Sequence, residues 1–165
     1  PLETAMCASK IAAKNGVKSV LNPAPATDLT GKNLESVFAL TPNETEGRVC
    51  LGLSPNDPIG DEDVATRLLQ LGPQNVILTL GENGVLWANS DGIKTFPALE
   101  VSVLDTVGAG DAFNSGFSVG ISEDKSIEES IALGITAASI STQYRETIES
   151  YPKREEVDKR VTEII

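Results

Sequence analysis

The chain has 165 residues, with 13 Lys plus Arg against 24 Asp plus Glu and a formal net charge of −11. That length suits one ordinary domain able to bury a core without disulfides or a structural metal, and the scattered acidic surplus argues against a nucleic-acid backbone as partner. Histidine is absent, which excludes Ser-His-Asp triads, His-ligated zinc and imidazole acid–base catalysis, and leaves proton transfer to a carboxylate, Lys or Tyr.

The two cysteines, Cys7 and Cys50, are too few for a four-cysteine zinc site and are expected as reduced, unpaired, buried thiols. No stretch reaches the roughly 18 consecutive apolar residues of a membrane span, and no basic-then-apolar leader opens the chain. A soluble, cytoplasmic protein with no membrane partner is expected. The chain starts at Pro1 and runs at once into a helical pattern, so further sequence is expected upstream.

In chain order, Leu2, Ala5, Met6, Ile11 and Ala12 recur near helical spacing and stop at Asn15-Gly16, predicting a helix. Val17 to Leu21 reads as a short strand ended by Asn22-Pro23-Ala24-Pro25, because proline supplies no ladder donor. A short helix is expected around Leu34. Val37 to Leu40 reads as a buried strand broken by Thr41-Pro42-Asn43, so Asn43, Glu44 and Glu46 follow a strand end. Asp61 to Leu71 predicts a helix closed by Gly72-Pro73, and Val76 to Leu80 is the clearest strand. Gly81-Glu82-Asn83-Gly84 then turns the chain into a second run, Val85 to Ala88, as a hairpin.

A further strand is expected within Gly92 to Phe96, with Trp87 and Phe96 in the core. Val101 to Leu104 leads into glycine-rich Asp105 to Asp111. Ala112 to Gly120 and Ser126 to Thr142 have the small and apolar residues of packed helices, and Arg154 to Ile165 reads as an amphipathic helix with a solvated charged face. Helices alternating with short apolar strands indicate an α/β fold with a mostly parallel sheet, whose ligands gather at the carboxyl ends of strands.

The most informative stretch is Asp105-Thr106-Val107-Gly108-Ala109-Gly110-Asp111-Ala112-Phe113-Asn114-Ser115-Gly116-Phe117. Glycines flanking Ala109 permit a tight turn, and a helix starting there presents free N–H groups and a positive dipole end to an anion. Asp111, in the first helical turn, is placed to accept a proton from a substrate hydroxyl beside that cradle. The bland alternative is a first-turn acid that stabilises the helix, with glycines serving the turn. The pattern is neither a P-loop, since no Gly-Lys-Ser/Thr follows, nor the Gly-x-Gly-x-x-Gly dinucleotide fingerprint, since Phe stands at 113.

DTVGAGDAFNSGF resembles the second signature of the ribokinase-like carbohydrate kinases, the PfkB family. Three further blocks agree in order and spacing: LNPAPA (Leu21 to Ala26), LTPNETE (Leu40 to Glu46) and VILTLGENGV (Val76 to Val85). The likeness is to the carboxyl-terminal half of such an enzyme and covers nearly the whole chain, taken as a single domain over residues 1–165. It implies a three-layer ribokinase-like α/β fold with a mostly parallel sheet, incomplete because the amino-terminal half and its lid are missing.

The resemblance also implies roles. Asp111 corresponds to the catalytic base, and Gly108, Ala109 and Gly110 to the anion hole for the transferring phosphoryl group. Asn43 corresponds to a phosphate-reaching amide and Glu46 to the carboxylate that helps hold Mg²⁺. Thr79, Gly81, Glu82 and Gly84 fall where a strand and loop lie along ATP, although any hairpin wants Asn83-Gly84. Asp105, the carbonyl of Val107 and Ser150 correspond to ligands of a monovalent cation, usually K⁺, while Asp105 would equally serve as a loop cap.

The likeness departs near the carboxyl end, where an expected basic-basic-Gly-Ala run reads Tyr144-Arg145-Glu146-Thr147 and an adenine-side Asn is missing near Ile135. The implied activity is transfer of the ATP γ-phosphoryl group to the primary hydroxyl of a small sugar, D-ribose by overall likeness. The alternatives are another sugar, a nucleoside, or a non-catalytic nucleotide-binding module. Self-association as a homo-oligomer is expected if a sheet edge or face lies uncovered.

Overall fold

In the computed structural model, which describes residues 1–164, the Ala-rich opening of the chain forms helix α1, Leu2–Lys14. It stops as expected: Asn15 Nδ2 donates to Ile11 O at 2.8 Å and Gly16 takes a left-handed φ of +70°. Five short strands follow, β1 (Val20–Leu21), β2 (Ala39–Leu40), β3 (Asn75–Thr79), β4 (Val85–Asn89) and β5 (Gly92–Phe96), and they form one sheet in the order β1-β2-β3-β4-β5.

β1 pairs with β2, and β2 with β3, in parallel, with Val20 opposite Ala39 and Leu40 opposite Val76. Only Ser90 and Asp91 separate β4 from its neighbour β5, a connection short enough to require an antiparallel pair. Asn89 Oδ1 closes that turn by accepting from Asp91 N and Gly92 N. Of the run from Val17, only Val20 and Leu21 join the sheet.

The chain divides into two units, Pro1–Leu80 with Leu86–Thr95, and Gly81–Val85 with the segment from Phe96 onward. In the first, Leu40, Val76, Leu78 and Leu86 from the strands bury against Cys50 of α2 (Glu44–Cys50) and Val64 and Leu68 of α3 (Asp61–Leu69). The helix expected around Leu34 is absent. Asn33 Oδ1 accepts from Glu35 N, and Leu34 is drawn into the core by its N–H bond to Leu71 O, so apolar content served a buried turn rather than a helix face. Burial pushes the Cys50 thiol up to about 12, with Glu46 adding to the effect. Cys7 is exposed, contrary to expectation, because it lies on the outward side of α1; both thiols are free.

Trp87 is half-buried and anchored by a 2.9 Å hydrogen bond from Nε1 to Asn75 Oδ1. Phe96 is buried, as expected.

The second unit is helical: α4 (Ala109–Ser122), α5 (Ile127–Ser141) and α6 (Arg154–Arg160), followed by a 3₁₀ turn at Val161–Glu163. The charged helix expected to continue to Ile165 thus tightens after Arg160, and Ile165 itself lies outside the described residues. A capping box starts α5, with Ser126 Oγ accepting from Glu129 N at 3.1 Å and Glu129 Oε2 from Ser126 N at 2.8 Å; the bond to the Ser126 backbone holds the Glu129 carboxyl below its ordinary range. Val157 of α6 packs with Leu133, Ala137 and Ile140 of α5, while Arg154 grips Glu123 and Asp158 at the surface.

Small residues let α4 and α5 approach closely. A Cβ on Gly116 would stand 2.6 Å from Leu133 O and 3.0 Å from Gly134 Cα, and one on Gly120 would stand 2.6 Å from Ser130 Oγ. Because the obstacle at Gly116 is backbone, it cannot rotate away. Gly116→Ala is expected to destabilise the chain by about 1–3 kcal/mol through overpacking, read as a lower urea midpoint at unchanged slope.

Candidate active site

The residues singled out from the sequence fall into two groups, one in each unit. In the first unit, Thr41-Pro42 ends β2 and Asn43 becomes the N-cap of α2, an element the sequence reading did not foresee. Asn43 Oδ1 accepts from Glu46 N at 2.8 Å, and Glu46 Oε2 accepts from Asn43 N at 2.9 Å. The Asn-x-x-Glu motif is therefore a complete capping box, and the signal that would have found α2 was that spacing itself.

The cap occupies one oxygen of each side chain. The Asn43 amide nitrogen and the second Glu46 oxygen remain for a ligand, and both residues are partly exposed. Thr79 is brought to the same place: it bridges Asn43 in parallel register, with Thr79 N donating to Pro42 O at 3.0 Å. The two thus share the carboxyl ends of β2 and β3, where α/β sheets take ligands.

In the second unit, Gly81–Asn83 form a 3₁₀ turn and Gly84, at φ +82°, packs against the backbone of Phe96, Pro97 and Ala98. Gly81 and Glu82 are exposed at the tip. Gly84 thus has a packing task as well as any contact with a ligand.

The glycine turn launches α4 as expected, three residues earlier than the apolar pattern indicated. Gly108 is its N-cap, also at φ +82°. Ala112 N donates to Gly108 O at 2.9 Å and Ala109 N to Thr106 O at 3.2 Å, while the N–H groups of Gly110 and Asp111 have no partner among the described residues. Of the three amides expected to meet an anion, those of Gly108, Ala109 and Gly110, that of Ala109 is committed within the turn and that of Gly110 is available, as is the Asp111 amide, which the sequence reading did not include. Gly110 has open space around it and the Asp111 side chain is exposed.

Asp105 Oδ1 accepts from Val107 N at 3.0 Å, so it does cap its loop. Ser150 is buried and its hydroxyl donates to Thr147 O at 2.7 Å. Glu146, at the position expected to hold Gly, has a left-handed φ of +68°, and Ile135, where an Asn was expected, is buried. Among the described residues no group of three or more Asp, Glu or Cys is placed to hold a metal ion, and no helix is long and apolar enough to cross a membrane.

The family model described as pfkB family carbohydrate kinase matches residues 1–154. The chain belongs to that family. It is 38% identical over 156 residues to a ribokinase from Haemophilus influenzae, an alignment covering 94% of this chain and 51% of that protein. It is 34% identical over 164 residues to a deoxyribokinase from Salmonella typhi, covering 96% of this chain and 52% of the relative. A solved structure of Arabidopsis thaliana ribokinase complexed with ribose and ATP superposes with a TM-score of 0.82 at 28% identity, over 98% of this chain and 53% of that one. The fold of this pfkB chain is therefore ribokinase-like α/β, and it spans about half the length of the curated relatives it matches.

The capping box makes a separable prediction at Asn43 and Glu46. Asn43→Ala is expected to cost about 1 kcal/mol of stability. Glu46→Gln preserves the box, because Gln also accepts at that position, and is expected to leave the melting temperature unchanged while weakening Mg²⁺-dependent nucleotide binding. A calorimetric titration beside a thermal melt reads both.

Proposed function

We propose that this chain is the ATP-binding and catalytic half of a sugar kinase that transfers the γ-phosphoryl group of ATP to the primary hydroxyl of D-ribose, giving ADP and ribose 5-phosphate. The observation that carries the reading is the start of α4: an exposed carboxylate, Asp111, on the same helical turn as two backbone N–H groups that have no partner among the described residues, in a pfkB chain. In this reading Asp111 takes the hydroxyl proton as the sugar oxygen bonds to phosphorus and the bond to the ADP oxygen breaks. The amides of Gly110 and Asp111 stabilise charge on the phosphoryl oxygens, together with that of Gly108.

Asn43, through its amide nitrogen, and Thr79 would contact phosphate groups, and Gly81, Glu82 and Gly84 would follow the nucleotide. Glu46 suits Mg²⁺, which keeps most of its waters and takes one or two carboxylates; bound, the ion would neutralise phosphate charge. Asp105 and Ser150 would also suit a monovalent cation, since Asp105 holds the turn through Val107 N with one oxygen and keeps the other, and the Ser150 hydroxyl, donating to Thr147 O, keeps its oxygen lone pairs; no step is assigned to such an ion.

The choice of D-ribose rests on likeness to ribokinases, and the deoxyribokinase likeness makes 2-deoxy-D-ribose the competing acceptor. A panel of D-ribose, 2-deoxy-D-ribose and a nucleoside, with ADP release as readout, decides between them. Since the chain spans half of its relatives, nucleotide binding without release of ADP would make this chain by itself a binding module.

Asp111→Asn is expected to reduce phosphoryl transfer by at least about 10²-fold, the low end for loss of a positioned base, with Mg-ATP affinity retained. An Asp111→Asn protein with unimpaired transfer would overturn the assignment.

A further inference from the structure

The segment 144–151 reaches the glycine turn at Gly108. A Cβ built on Gly108 would stand 2.5 Å from Thr147 Cγ2 and 3.3 Å from Tyr151 Oη, but 3.5 Å, an ordinary contact, from Thr147 Cβ. The Thr147 methyl group is thus what most closely limits the space at this glycine. Thr147 is itself held from behind, by the bond from buried Ser150 to its carbonyl. On the entering side, Leu104 N and Asp105 N both donate to Thr142 O, at 2.8 and 3.2 Å. One stretch of chain after α5 therefore braces the glycine turn at two points.

We propose that Thr147 and Tyr151 are positioning residues for the phosphate-facing turn. A left-handed glycine is soft, because without a Cβ it moves easily among backbone conformations. The methyl of Thr147 and the hydroxyl of Tyr151 close off that freedom and hold the N–H groups at the start of α4 in one direction, which is what preorganised donors require. The effect is geometric, carried by a methyl group and a hydroxyl at short distance from the glycine. The inference rests on reading the start of α4 as the phosphate site.

The test titrates the chain with Mg-ATP and with Mg-ADP, which lacks the phosphoryl group that the turn faces, and records thermal melts. Thr147→Ala is expected to lower the preference for ATP over ADP with little change in melting temperature, and Tyr151→Phe, which keeps the ring, to do so to a smaller extent. Gly108→Ala is expected to weaken ATP binding about tenfold, from steric conflict and left-handed strain. The double variant Gly108→Ala/Thr147→Ala is expected to recover the steric part of that loss, since the closest atom is gone, and to keep the part that comes from left-handed strain. If Gly108→Ala does not fold, the ATP-to-ADP ratio of Thr147→Ala decides alone. An unchanged ratio in Thr147→Ala, or a folded double variant no better than Gly108→Ala, overturns the inference and leaves the proposed function standing. Failure of the unsubstituted chain to bind either nucleotide removes both.

Discussion

The second unit depends on one backbone position, Gly108, where the chain passes from a turn into a helix. At φ +82° it occupies a region that costs a residue with a side chain about 1–3 kcal/mol. From that point α4 runs for 14 residues, buried along one side against α5. The same geometry that starts the helix leaves the amides of Gly110 and Asp111 without partners among the described residues and presents Asp111 at the surface. One glycine turn therefore both starts the helix and leaves free N–H groups, among the described residues, at its first turn.

A similar sharing occurs in the first unit. The capping box of Asn43 and Glu46 starts α2 at the carboxyl end of β2, and the bridge to Thr79 keeps that end beside β3. The two side chains satisfy the helix with one oxygen each and retain other polar atoms. A motif can thus be engaged in a capping box and still keep polar atoms free of it.

Close packing supports both arrangements. Gly47 lets α2 approach β3 and α3, where a Cβ would stand 3.0 Å from Leu78 Cδ1 and Val64 Cγ1, and Gly116, Gly120 and Gly134 do the same between α4 and α5. The helices that carry the candidate residues are consequently held at distances that larger side chains would not allow, which limits the motion of the groups they present.

The sequence by itself determined the alternation of helices and strands, the closing of α1 at Asn15-Gly16, the start of α5 at Ser126 and the presence of a glycine turn before Asp111. These are local matters of spacing, capping and turn chemistry, which a short window of residues decides. Only the tertiary structure decided that Leu34 sits in a buried turn, that Cys7 faces outward while Cys50 does not, that Glu146 adopts a left-handed conformation, and that Thr147 and Tyr151 stand against Gly108. Those outcomes depend on which distant segments meet, and no window of neighbouring residues contains that information.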